Sequence, residues 1–166
     1  MDDQGGSAIA EDRSGPDETG LGEIGLERFA PYLMNRIMGR YNAALREDLA
    51  KLGLTTPKMR ALAVLSVIEA PTISQLAVYA VAEQSTLSRA LDSLEADGLV
   101  RRIADPGDNR ATRVSITETG RAAFETLWPT MRASYARMFA GIGAEERTAF
   151  VATLQKMLRN IRRHDF

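Results

Sequence analysis

Ser85, Thr86, Ser88 and Arg89 stand together in a stretch that holds no histidine and no cysteine. The set is wrong for nucleophilic catalysis, because a serine hydroxyl needs an adjacent base and neither Ser85 nor Ser88 has one nearby. It suits the reading of base edges in duplex DNA. Short hydroxyl side chains let a helix come close to the groove floor, a threonine also meets a thymine methyl, and an arginine bonds guanine O6 and N7 with two donors. The plainer alternative is a solvated helix face on which Arg89 pairs with Asp92 or Glu83. Arg110 ends the turn-rich segment Asp105-Pro106-Gly107-Asp108-Asn109-Arg110, where a lone guanidinium suits the negative potential of a minor groove. Arg101, Arg102 and Arg113 flank that segment and suit phosphates. Successive strand residues face opposite ways, so one of Arg101 and Arg102 is expected to make an ion pair within the fold. Asp105 and Asp108 are expected to act internally, fixing the turn backbone or holding Arg110 extended.

Such residues need a scaffold, and the flanking pattern supplies one. Leu87, Leu91 and Leu94 recur at helical spacing and turn the hydroxyl and arginine face outward. Gly98 ends that helix at the position where a left-handed backbone is needed. Residues 99–104 and 113–117 then read as two strands around the turn-rich tip. Upstream, Thr72-Ile73-Ser74-Gln75 matches a capping box opening a helix over 73–79, with Val81-Ala82-Glu83 as the turn into the next helix. Thr56-Pro57 reads as a cap and first helical residue of a helix through Glu69, with Met59, Leu62, Ala63, Leu65 and Val67 apolar and Pro71 as its breaker. Helix, turn, helix and basic-tipped hairpin make the outline of a winged helix–turn–helix.

Three blocks in this order resemble the MarR family of bacterial transcription regulators. They are Leu94-Glu95-Ala96-Asp97-Gly98-Leu99-Val100-Arg101-Arg102, the segment 105–110, and Ile116-Thr117-Glu118-Thr119-Gly120. The resemblance extends over roughly residues 28–163. Many members carry a second wing arginine at the position held here by Gly107, so the groove contact rests on Arg110 alone. The resemblance implies a homodimer that binds double-stranded DNA. It also implies a small, often aromatic, anionic effector held between the dimer helices and the winged lobe. Here that junction would involve Tyr32, Arg36, Met59 and Arg60. The alternative is a winged-helix protein–protein module, which salt-sensitive duplex binding would distinguish.

The chain's ends support the dimer reading. Over residues 23–52, Leu26, Phe29, Leu33, Ile37, Tyr41, Ala44 and Leu45 form a helical stripe closed by Gly53, with Pro31 early enough for a first turn. Thr117 caps a helix over 118–140 that Pro129 should kink, and a last helix runs over 144–163. These stripes exceed what one small winged domain covers, so a second copy is expected to cover the rest. The expected organisation is a disordered acidic tail (1–22), an N-terminal dimerisation helix (23–54), a winged helix–turn–helix (55–117) and C-terminal dimerisation helices (118–163). The fold class is mainly α with a small β-hairpin wing.

Composition narrows the function. The absence of cysteine excludes disulfides, thiolate metal sites and cysteine-based redox sensing, and the single histidine, His164, lies in the tail. With no phosphate-cradling glycine loop and no acidic pair at metal spacing, no enzyme, cofactor or metal is expected. No apolar run approaches a membrane span and no signal peptide is evident, so a cytoplasmic protein is expected. The formal charge of −1 hides an asymmetry: residues 1–27 hold eight acids against one base, leaving 20 bases against 14 acids in the body. A basic body is compatible with a nucleic-acid partner.

Overall fold

The computed structural model describes residues 20–108 and 110–164, so the expected tail lies outside the described residues as far as residue 19. The chain divides into two compact units whose boundary falls between Met38 and Gly39. In the first, α1 (Leu21–Ile24) closes at Gly25, whose φ of +75° is left-handed. α2 (Ala30–Lys51) begins afresh with Pro31 in its first turn, where a missing N–H forfeits no helical bond. The single helix expected from residue 23 is thus two helices, and Gly25 is the reason.

In the second unit, the end of α2 is closed by Gly53 at φ +65°, with the Leu54 N–H donating to Leu49 O at 2.9 Å. α3 (Thr56–Leu65) has Thr55 rather than Thr56 at its N-cap position, with no side-chain capping bond, and Pro57 in its first turn. It stops short of the expected Glu69. Ser66 Oγ donates to Ala63 O at 2.7 Å and Arg121 Nη1 donates to Ser66 O at 3.3 Å. These bonds satisfy carbonyls at a helix end, and Val67 lies 81% exposed instead of continuing an inward face.

α4 (Ile73–Tyr79) has the expected bounds, and both halves of its capping box form: Gln75 N–H to Thr72 Oγ1 and Thr72 N–H to Gln75 Oε1. α5 (Gln84–Ala96) buries Leu87, Ala90, Leu91 and Leu94 and ends at Gly98, φ +70°. β1 (Val100–Ala104) and β2 (Thr112–Ile116) pair antiparallel, with Val100 opposite Ile116 and Ala104 opposite Thr112. An isolated bridge from Thr72 to Arg113, with Val114 N–H bonded to Pro71 O at 3.0 Å, ties this hairpin to the start of α4.

The core these elements share includes Leu45, Leu49, Leu62, Leu76, Leu87, Leu91, Leu94, Val114 and Leu127, all fully buried. Each such side chain contributes about 1.5–3 kcal/mol through burial. α6 (Glu118–Met138) is capped by Thr117, whose side chain accepts from Gly120 N–H, and it runs through Pro129 as one helix. A Cβ on Gly120 would lie 2.0 Å from Leu99 O, so only glycine fits where α6 starts against the end of α5. α7 (Ala144–Ile161) has no buried residue. The protein is a mainly α winged helix–turn–helix with a two-stranded wing.

Candidate nucleic-acid interface

α5 is the second helix of the helix–turn–helix, and its amphipathic spacing decides what it shows. With its leucines buried, Ser85, Thr86 and Arg89 are exposed and Ser88 is half-buried. Thr86 therefore stands on the outward face. Arg89 folds back only as far as Ser85 O, 3.3 Å from its Nε, and no carboxylate among the described residues pairs with it. Asp92, its expected competitor partner, is taken by another residue.

That residue is Arg102. Its Nη2 meets Asp92 Oδ1 at 2.7 Å and Ser88 O at 3.3 Å, and its Nη1 meets Glu95 Oε2 at 2.9 Å. Glu95 Oε1 also accepts the Arg102 N–H at 3.0 Å. Arg102 thus ties β1 to α5 and is the intradomain member of the Arg101–Arg102 pair, while Arg101 is exposed. Arg113 is likewise engaged: its Nε pairs with Asp105 Oδ2 and its Nη1 donates to Ala70 O at 2.9 Å. Arg102 and Arg113, both expected to reach phosphates, thus have their guanidinium groups engaged within the lobe.

The wing turn is organised by its aspartates, which fix its backbone, the first of the two roles expected of them. Asp105 is buried, and its Oδ1 accepts from Gly107 N–H at 2.7 Å and Asp108 N–H at 3.1 Å. The Gly107 N–H, followed by the Arg113 guanidinium and the Asp108 N–H, holds this carboxyl below the usual carboxylate range, against burial that acts the other way. Asp105 holds Arg113, not Arg110. Asp108 Oδ1 accepts the backbone N–H of Arg110 at 2.9 Å, and the Arg110 side chain is exposed at the tip.

Of the four residues expected at an effector site, Tyr32 and Arg36 pair with each other: Arg36 Nη1 donates to Tyr32 Oη at 2.9 Å, and the guanidinium lies 5.7 Å from the ring centre. Met59 is 3% exposed and belongs to the core. Arg60 donates to Val81 O at 3.0 Å and to Ala80 O at 3.5 Å. The last two are thus engaged within the winged lobe, apart from the Tyr32–Arg36 pair.

A groove not anticipated from sequence runs between α3 and α6, about 340 Å³ in volume. Ala63, Ser66 and Val67 line one side, and Arg121, Phe124, Glu125, Trp128 and Met131 the other. The Phe124 and Trp128 rings stand 6.2 Å apart, and Trp128 is 51% exposed. An aromatic pair with one guanidinium suits a flat anion. In the sequence the signal is Arg121, Phe124 and Trp128 at helical spacing within the helix over 118–140.

Comparison with known proteins follows the same lines. The model of the MarR family matches residues 54–112. The HTH-type transcriptional repressor IacR of Pseudomonas putida is 32% identical over 120 residues, 72% of this chain and 72% of that protein. The crystal structure of a transcriptional regulator from Silicibacter pomeroyi superposes with a TM-score of 0.85 at 61% identity, covering 89% of this chain and 100% of its own. BpsR of Bordetella bronchiseptica, whose DNA binding is regulated by 6-hydroxynicotinic acid, superposes with a TM-score of 0.67 at 26% identity, covering 77% of this chain and 97% of its own. Among the described residues, no helix is long and apolar enough to cross a membrane.

Proposed function

Because the chain belongs to the MarR family of transcriptional regulators, we propose that it is a homodimeric repressor, acting in the cytoplasm, which reads a pseudo-palindromic operator in double-stranded DNA. A small aromatic anion releases it. The observation that carries this reading is the outward face of α5, where Ser85, Thr86 and Arg89 are exposed and Arg89 has no carboxylate partner among the described residues. In this reading Ser85, Thr86, Ser88 and Arg89 enter the major groove, Arg110 enters the minor groove, and Arg101 meets a phosphate. The work is binding rather than catalysis.

Dimerisation is supported by α6 and α7. Leu158 and Ile161 are 62% and 76% exposed, and Tyr135 and Phe150 add apolar surface. A second copy covers such a stripe at the least cost in new chemistry, and a two-fold pair matches a two-fold site. The effector is assigned to the α3–α6 groove, with Arg121 for the carboxylate and Phe124 and Trp128 for the ring. Regulation of BpsR by 6-hydroxynicotinic acid supports this ligand class.

Footprinting on a duplex selected by the protein tests the reading. Protection of two half-sites about one helical turn apart is expected, and aromatic carboxylates should lift it. Protection of a single asymmetric site would contradict the dimer. Absence of any duplex preference would favour a protein–protein module.

A further inference from the structure

Arg60 bridges α3 to the turn between α4 and α5. α4 ends with Val81 N–H bonded to Val78 O and Ala82 N–H bonded to Ala77 O, each at 3.1 Å. This pattern ordinarily has glycine at the position Val81 occupies. Val81 instead stands at φ +49°, a left-handed backbone that a β-branched residue rarely adopts. Its side chain is 77% exposed, so no burial of its own offsets the strain. The following helix gives little help, since its N-cap residue Glu83 makes no side-chain capping bond. The turn is held from a third element. Arg60 reaches from α3 and its Nη1 donates to Val81 O at 3.0 Å and Ala80 O at 3.5 Å.

We infer that Arg60 is a positioning residue for DNA reading. Its guanidinium holds the strained turn and so fixes the direction in which α5 presents Ser85, Thr86 and Arg89. Arg60 touches no base and acts only through the turn. This rests on the DNA-reading function proposed above, and it adds a requirement that function does not contain: the hinge between the two helices is stabilised by a cation from outside them.

The test uses the full chain as parent, Arg60→Ala, Val81→Gly and the double variant. Each is titrated against a duplex selected by the parent and against random duplex at two salt concentrations. Amide exchange at Val81 and Ala82 is followed in parallel, with circular dichroism as the check on folding. Arg60→Ala should lose about tenfold in affinity for the selected duplex. Its binding to random duplex and its salt slope should stay near the parent's, and the Val81 and Ala82 amides should exchange faster. The double variant should recover to within about threefold of the parent, because glycine takes a positive φ without strain. Equal losses in the single and double variants would overturn the inference, since Arg60 would then not act through the strained turn. Uniform weakening on both duplexes with a shallower salt slope would make Arg60 a phosphate contact instead. Parent-like affinity and exchange in Arg60→Ala would leave it no positioning role. If the parent selects no duplex, the DNA reading itself falls, and the exchange rates separately decide whether the clasp holds the turn.

Discussion

Arg113 connects two places far apart in sequence: its Nη1 donates to Ala70 O at 2.9 Å while its Nε pairs with Asp105 at the base of the wing. Ala70 is itself left-handed, at φ +44°. One guanidinium therefore anchors the wing turn to the loop between α3 and α4.

That anchor depends on the charge of Asp105. Its carboxyl is held below the ordinary range, chiefly by the Gly107 N–H and then by Arg113 and the Asp108 N–H. A depressed folded-state pKa contributes stability that is fully present above the unfolded value, about 3.9, and is lost as pH falls through the folded value. Melting curves from neutral pH down to about pH 2.5 should show this acid-side loss in the parent, over the range set by those carboxylate values. Asp105→Asn keeps acceptors for the two amides but cannot pair with Arg113, and it should lack that component of the loss.

Arg89 and Arg110 are expected to read different things. Arg89→Ala should cost about 1–3 kcal/mol on the operator and relax preference mainly at one base pair of each half-site. Arg110→Ala should weaken operator and A·T-rich non-cognate DNA together and flatten the salt dependence. Titrations against operator, point-substituted operator and random duplex separate the two. Uniform loss for Arg89→Ala would mean that the helix grips backbone.

Arg102→Met should act on stability and not on phosphate contact. The Arg102 side chain is 23% exposed while its partners Asp92 and Glu95 are 61% and 38% exposed. The loss should therefore be modest, about 1–2 kcal/mol by urea denaturation. The salt slope of DNA binding should stay as in the parent.

Gly120→Ala should be the most damaging single methyl in the lobe. The added carbon would sit 2.0 Å from Leu99 O and 2.9 Å from Ile116 Cγ1, and the first of these is backbone. A loss of about 3 kcal/mol or more is expected from urea or thermal unfolding. A variant as stable as the parent would show that α6 is free to shift.

Leu158→Glu with Ile161→Glu tests self-association. Both positions are exposed in the single chain, so charge there leaves the protomer's own core untouched. Sedimentation should give a dimer for the parent and a folded monomer for the variant. A variant that remains a dimer would place the interface elsewhere.

Much of the lobe was legible because its signals are local. The Thr72–Gln75 box, the leucines of α5 and Gly98 each act within a few residues, and all three appear as read. The break at Gly25 was hidden because the apolar stripe continues across it. The end of α3 was hidden because Arg121, far along the chain, supplies a bond to Ser66 O. Site residues were legible as types but not as partners. Nothing near Arg102 in sequence says that Asp92 and Glu95 will claim it, and nothing near Arg113 points to Ala70. Arginines look alike in a sequence; long-range geometry decides which ones remain free.

The junction at Thr117 carries a consequence for signalling. Thr117 N–H bonds Leu99 O at 3.0 Å, its Oγ1 donates to Gly98 O at 2.7 Å, and Gly120 lies against the same Leu99 carbonyl. The root of α6 is thus bonded directly to the two residues Gly98 and Leu99 that follow α5. In a dimer joined through α6 and α7, the two reading heads would be the ends of rigid levers. A few degrees of tilt in α6 would then change the gap between heads directly, with no slack to absorb it.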